Sequence, residues 1–151
     1  MLTGLQHTHS LLRYILLIAL IATVVNSFLK MRGKKPFVAL DNKLSLYTFI
    51  FAHTQLLIGI VLYAISPLVK GAWAMGMANM MASSVHRFYG IEHAFGMIIA
   101  ISLITLGRIK SKKLNDDLAK HKTTFVYFLI ALIILLVTIP WPFRNMGTSW
   151  I

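Results

Sequence analysis

The composition of this 151-residue chain excludes an ordinary soluble domain. Hydrophobic residues make up 58% of it and charged residues 13%, and the mean hydropathy is +0.75. Soluble domains average about 45–50% apolar and about 25% charged residues. The net charge is +11, but Lys and Arg gather at the ends of apolar segments, which indicates membrane topology rather than nucleic-acid binding. The absence of cysteine excludes disulfides, iron–sulfur clusters and thiolate metal sites.

Four apolar segments are each long enough to cross a bilayer, which requires about 20 helical residues. The segments run over residues 11–29, 44–67, 88–107 and 123–139. They predict an all-α fold, a single four-helix integral membrane domain over residues 1–151. The fourth segment ends at "PWPF", where two prolines stop the helix. No soluble domain remains outside the segments, and the inner connections are short and basic, which suits anionic lipid headgroups.

The positions of Lys and Arg predict the orientation. Most of them lie between the first and second segments and between the third and fourth, so these two connections face the cytoplasm. Both termini and the loop "VKGAWAMGMANMMASSV" are then outside, an N-out/C-out topology. The tryptophans all fall on that outer side, at the depth of an interfacial belt: Trp73, Trp141 and Trp150.

Histidines at matching depth predict a cofactor site. Counted from the inner ends of their segments at ~1.5 Å per residue, His53 lies about 15 Å deep and His93 about 22 Å deep, and helix tilt can absorb the difference. His7, His9 and His86 gather at the outer surface. Two imidazoles from neighbouring helices commonly ligate the iron of a b-type heme between them. We therefore expect His93 and His53 to be axial heme ligands.

Glycines and arginines near these histidines support the same interpretation. Gly90 and Gly96 lie three residues before and after His93, where they would let a flat ring approach the helix backbone. Arg13 and Arg87 lie near the outer ends of their segments, where they would pair with heme propionates. Interhelical hydrogen bonds by the histidines and close helix packing at the glycines are the alternatives.

Glu92 is the only acidic residue inside an apolar segment. Because adjacent residues on a helix point about 100° apart, it does not share a face with His93. Two roles stay open for it. It is a proton-relay candidate that would serve a quinone or a reacting substrate, or it is a neutral carboxyl group that ties two helices together through Gln55, Tyr63 or a loop residue.

A methionine-rich stretch, "WAMGMANMM", offers a different chemistry. Thioether and imidazole groups together form a soft ligand set that suits Cu(I). Methionine is also a common packing residue, so membrane or protein packing is the alternative. The candidate copper ligands are His7, His9, His86, Met75, Met77, Met80 and Met81.

Four motifs carry a resemblance to known proteins: "HTHSLLRY", "AHTQLLIGIVLY", "RFYGIEHAFGMIIAISLITLGR" and "TIPWPF". On these, the chain resembles four-span heme-binding membrane proteins: one half of heme A synthase, bacterial four-helix cytochromes b and membrane protoporphyrinogen oxidases. The order His53, Gln55, Gly59 is similar to a pattern in heme A synthases. The resemblance implies a b-type heme on His53 and His93, with His9 as the alternative partner, and it implies no particular substrate.

Together these features predict a b-type heme-binding protein of the bacterial cytoplasmic membrane, acting in electron transfer or as a subunit of a redox complex. A bundle without an extramembrane domain has little room for independent catalysis, so we expect other redox subunits or a quinone as partners, and no catalytic residue is assigned. Two alternatives belong to other classes. One is a copper-binding or oxidase-assembly protein, and the other is a structural accessory subunit without a cofactor.

Overall fold

The computed structural model describes residues 2–144, and within them the chain is built from helices. Four long helices alternate with short connections, and three short helices and a π-helical turn lie between the second and third long ones. In chain order the elements are α1 Leu2–Arg32, α2 Ala39–Ile65, α3 Pro67–Ala74, α4 Met77–Ala82, α5 Ser84–Arg87, a π-helical turn Phe88–Glu92, α6 His93–Lys113, α7 Asp117–Thr138 and a 3₁₀ turn Pro142–Arg144.

Four helical stretches are long and apolar enough to cross a membrane, and the predicted all-α, four-helix, multi-pass architecture is confirmed. They are Leu2–Arg32, Ala39–Ile65, Ser84–Lys113 and Asp117–Thr138. Six of the eight ends of these stretches extend beyond the predicted apolar boundaries because the polar flanking residues continue the helix, whereas the ends at Ile65 and Thr138 fall two residues and one residue short. The predicted position of Trp150 lies outside the described residues.

The connection predicted as an outer loop is helical instead. Ser66 caps α3, its hydroxyl accepting a hydrogen bond from the Val69 N–H, and Pro67 occupies the first helical position, where no N–H is needed. Gly76 has a φ of +83°, which breaks the chain between α3 and α4. The methionine-rich stretch therefore folds as a helical cap over the outer end of the bundle.

The four long helices form a square in cross-section. α1 packs against α2 and α7, and α6 packs against the same two helices, so α1 and α6 lie on a diagonal. Leu20, Ala52, Ile104 and Phe128 are fully buried where the four helices meet. The diagonal arrangement means that a residue of α1 can face a residue of α6 only across the bundle interior.

Hydrogen bonds between polar side chains join the helices at the end predicted to face the cytoplasm. The Asp41 carboxylate accepts hydrogen bonds from Lys30 Nζ at 2.8 Å and Asn26 Nδ2 at 2.6 Å, which links α2 to α1. Arg108 of α6 donates to Ser45 Oγ of α2 at 2.6 Å. Such bonds matter in a bilayer because hydrocarbon offers polar groups no alternative partners.

Close packing at Gly107 provides a test of the helix register. A Cβ added there would lie 2.5 Å from Tyr127 Cβ, and such overpacking typically costs about 1–3 kcal/mol. Gly107→Ala should therefore lower the thermal unfolding midpoint of the detergent-purified protein. Gly71→Ala is the matched control, since its new Cβ meets nothing within 4 Å. Equal midpoints for the two variants would show that α6 and α7 do not meet at Gly107.

Candidate functional site

His9 of α1 and His93 of α6 lie in the same half of the bundle, close to Arg13. The two imidazoles lie near enough for their charges to interact, and Arg13 lies within the same range of both. Arg13 follows His9 by four residues and so shares its face of α1. The Arg13 side chain is buried, whereas both histidines are half-buried. The structure thus places two imidazoles and a guanidinium together, from helices on opposite corners.

A hydrogen bond to the backbone of α7 fixes the His93 ring. Its Nδ1 lies 2.8 Å from the Thr138 carbonyl oxygen. A carbonyl oxygen only accepts, so Nδ1 carries the hydrogen and donates it. In the neutral ring, Nε2 then has no hydrogen and presents its lone pair. This is the arrangement by which metal-binding histidines are usually oriented.

The "PWP" sequence frees the carbonyl that His93 uses. In a continuing helix the Thr138 and Leu136 carbonyls would accept from the N–H groups four residues later, which are Pro142 and Pro140. Proline has no N–H. The Leu136 carbonyl accepts from Trp141 Nε1 at 2.9 Å instead, and the Thr138 carbonyl accepts from His93. The prolines therefore end α7 and also supply an acceptor to the site.

The π-helical turn immediately before His93 sets the direction of its side chain. The His93 N–H bonds to the Phe88 carbonyl five residues earlier, instead of four. One extra residue in a turn rotates everything after it by about 100° relative to a regular α-helix. The Gly90 carbonyl inside the turn accepts a hydrogen bond from Tyr63 Oη at 2.6 Å, and that hydroxyl accepts from Trp73 Nε1 at 2.9 Å. Such π-helical turns are frequent at functional sites.

Two residues of α2 hold His9. Gln55 Nε2 donates to the His9 carbonyl oxygen at 2.8 Å. Gly59, one turn further along, leaves room for the imidazole, since a Cβ there would lie 3.2 Å from His9 Cε1. Among the described residues, nothing hydrogen-bonds to the buried Nδ1 of His9. This nitrogen is therefore available to a ligand.

His53, the other predicted axial ligand, lies apart from this pair. Its Nδ1 bonds to the Phe49 carbonyl on its own helix at 2.9 Å, and its Nε2 faces Thr105 Oγ1 at 3.5 Å. Thr105 follows His93 by twelve residues, or about 18 Å along the helix. The histidine within electrostatic range of His93 is His9, the alternative partner from sequence.

The two glycines beside His93 pack against protein side chains. Gly96 packs against Thr138, and Gly90 against the sulfur of Met80, which is fully buried. Both glycines serve helix packing, the alternative role considered from sequence.

The two predicted propionate partners and Glu92 lie in different environments. Arg13 donates to Tyr14 Oη at 3.1 Å, and its guanidinium lies 5.9 Å from the centre of the Trp141 ring. Arg87 Nε instead donates to Glu92 at 2.7 Å. The Glu92 side chain is 44% exposed, so the carboxyl group pairs within its own helical stretch rather than with Gln55 or Tyr63. Only Arg13 of the two arginines belongs to the histidine pair.

The candidate copper ligands are spread over the outer end. Met80 packs its sulfur at Gly90, Met77 and Met81 are exposed, and His86 Nδ1 bonds to Ser83 Oγ at 2.7 Å. His7 is exposed and Met75 half-buried. Within residues 2–144, no three His, Cys, Asp or Glu side chains come together as a metal site.

Some residues of interest were not singled out from sequence. Thr138 acts through its backbone carbonyl, so its side-chain type gives no sign of this role in the sequence. Pro142 does give a sign, because it lacks the N–H that would otherwise bond to this carbonyl. His121 lies between Lys120 and Lys122 in the sequence, yet it is fully buried, with its ring 5.0 Å from that of Phe37.

Comparison of the chain with protein-family models, curated proteins and solved structures finds no match.

Gly96 allows a test of how Thr138 holds His93. A Cβ at position 96 would collide with Thr138 Cγ2 and push the Thr138 carbonyl away from the imidazole. Gly96→Ala should therefore lower the thermal unfolding midpoint and shift the ¹⁵N NMR signal of His93 Nδ1. Adding Thr138→Ser, which removes Cγ2, should recover part of both effects, and Thr138→Ser alone serves as the control. An unchanged His93 signal in Gly96→Ala would contradict this arrangement.

Proposed function

We propose that the chain binds one b-type heme between His9 and His93 and carries electrons in a bacterial cytoplasmic membrane. The observation that supports this proposal is that the two imidazoles lie within electrostatic range of each other, and that one of them has its Nδ1–H bonded to the Thr138 carbonyl. The heme itself follows from the sequence resemblance and from the chemistry of these residues.

The residues present fit such a group. Two neutral imidazoles from different helices are a usual axial pair for b-type heme, and His9 Nδ1 is a buried atom with no partner among the described residues. Aromatic rings surround His93, with the centroid of Phe88 at 5.8 Å and that of Tyr89 at 6.5 Å. An apolar macrocycle requires an apolar setting of this kind.

Arg13 is the residue that would bind the heme propionates. It is the buried cation nearest the two histidines, and guanidinium groups bind carboxylates through paired, charge-assisted hydrogen bonds. It lies one turn after His9 along α1, which suits the propionates of a heme held at the histidine pair. Arg87, already bonded to Glu92, is assigned a structural role.

The bound heme would supply a one-electron carrier. The protein's own contribution is to orient and insulate. The Thr138 carbonyl keeps the His93 lone pair on Nε2, Gln55 fixes the backbone at His9, and the surrounding helices keep water from the bundle interior. Because only short connections lie outside the described helices, we propose that electrons are exchanged with other membrane redox subunits or with a quinone.

Alanine variants of three histidines test the proposal. Protein purified with heme supplied during growth should show a reduced b-type absorption spectrum. His9→Ala and His93→Ala should lose most of the heme per mole of folded protein because each removes an axial ligand. His53→Ala is the matched control, being an intramembrane histidine outside the pair, and should keep its heme.

The outcomes separate the alternatives. Loss of heme in His53→Ala with retention in His9→Ala would restore the pairing expected from sequence and overturn the one proposed here. Colourless protein that does not take up added heme would end the heme proposal and favour a cofactor-free accessory subunit. Copper in metal analysis of such protein would favour the copper alternative.

A pair of arginine variants tests the propionate assignment. Removing a charge-assisted hydrogen bond costs about 1.5–3 kcal/mol, so Arg13→Gln should raise the heme dissociation constant roughly tenfold or more. Arg87→Gln should leave it nearly unchanged. The measurement is transfer of heme from each variant to excess apomyoglobin, and equal transfer from both variants would contradict the assignment.

A further inference from the structure

A groove on the lipid-facing side of the bundle lies between α2 and α6, separate from the paired histidines. His53 and Thr105 contribute its polar atoms together with Ser102, and the other lining residues are Leu56, Ile98, Ile101 and Leu106. Ile98 and Leu106 are about half exposed, at 54% and 46%, so the groove opens toward the acyl chains. A molecule can reach it from the bilayer.

The hydrogens at this groove leave one acceptor without a strong donor. His53 Nδ1 lies 2.9 Å from the Phe49 carbonyl oxygen, an acceptor, so Nδ1 carries the ring hydrogen. Thr105 Oγ1 donates its hydrogen to the Ile101 carbonyl at 2.8 Å. The 3.5 Å approach of His53 Nε2 to Thr105 Oγ1 is therefore the longer of the two contacts of this hydroxyl, and it gives the Nε2 lone pair only a weak donor.

The lone pair on His53 Nε2 is important because it lies in apolar surroundings. A charged imidazole is costly in the bilayer core, and intramembrane ionisable side chains are usually functional. The neutral ring needs a donor in a place that water and lipid headgroups do not occupy. Acyl chains have none. A suitable ligand must carry a hydroxyl group and still be apolar enough to lie at this depth.

We propose that the groove binds the ring of a membrane quinol, with one ring hydroxyl donating to His53 Nε2. A quinol combines a flat ring that bears two hydroxyl groups with a long apolar tail, which would lie along the exposed Ile98 and Leu106. The Phe49 ring, 4.0 Å from that of His53, keeps the imidazole in place. The oxidised quinone offers carbonyl acceptors only, so the groove selects the reduced form. The inference rests on the proposed electron-transfer function, in which a quinol would be the electron donor.

Binding of a short-chain quinol and its quinone to protein in lipid nanodiscs tests this inference. One additional hydrogen bond is worth about 0.5–1.5 kcal/mol net, so the quinol should bind about 3- to 10-fold more tightly than the quinone. His53→Leu should remove that preference. Thr54→Val, an adjacent exposed residue whose hydroxyl bonds only to its own helix at Ile50, is the matched control and should keep it.

A second variant covers the case in which His53→Leu does not fold. Ile98→Trp would fill the groove from its lipid-exposed rim without contacting the histidine pair and should weaken binding of both forms. Equal affinity for quinol and quinone in the wild type, or an unchanged preference in His53→Leu, would overturn the inference.

Heme absorbance measured on the same samples distinguishes the two proposals. Full heme content without any quinol preference would defeat the groove assignment alone. A His53-dependent quinol preference in colourless protein would defeat the heme proposal and leave the groove assignment supported.

Discussion

The hydrogen bond from His93 Nδ1 to the Thr138 carbonyl holds the candidate site together. In hydrocarbon a helix-terminal carbonyl must find its donor inside the protein, and Pro142 removes the donor that a continuing helix would have provided. The His93 imidazole supplies this donor, and the hydrogen bond fixes the orientation of its ring. Helix termination, packing of α6 on α7 at Gly96, and presentation of the His93 lone pair therefore depend on one another.

The amino-acid pattern predicts the architecture well because the bilayer imposes it. Segment length and apolarity determine the helical spans, and they leave little freedom for another fold. The rotational phase of the helices is harder to predict. His53 and Gln55 are two residues apart, so they point about 200° away from each other. Gln55 and Gly59 face His9, and His53 turns to Thr105. Depth alone, without this phase, does not distinguish His53 from His9 as the neighbour of His93.

Two further features escape prediction from sequence for physical reasons. The π-helical turn at Phe88–Glu92 inserts one residue into the helix, and no proline marks its position in the sequence. Its effect is to rotate the residues that follow it, beginning with His93. In the sequence, Glu92 is an isolated acid in an apolar segment. Arg87 lies five residues before it, a spacing that regular α-helical geometry does not bring together but that the π-helical turn does.

Two histidine environments therefore lie about 18 Å apart along α6. One is the pair His9 and His93 inside the bundle, and the other is the single His53 imidazole at the lipid-facing groove. This separation is the central claim, and cysteine crosslinking in native membranes tests it most directly because the chain contains no cysteine. A short bifunctional thiol reagent should join His9→Cys to His93→Cys within one chain, as detected by mass spectrometry, and should not join His53→Cys to His93→Cys. Crosslinking of the 53/93 pair without the 9/93 pair would contradict it.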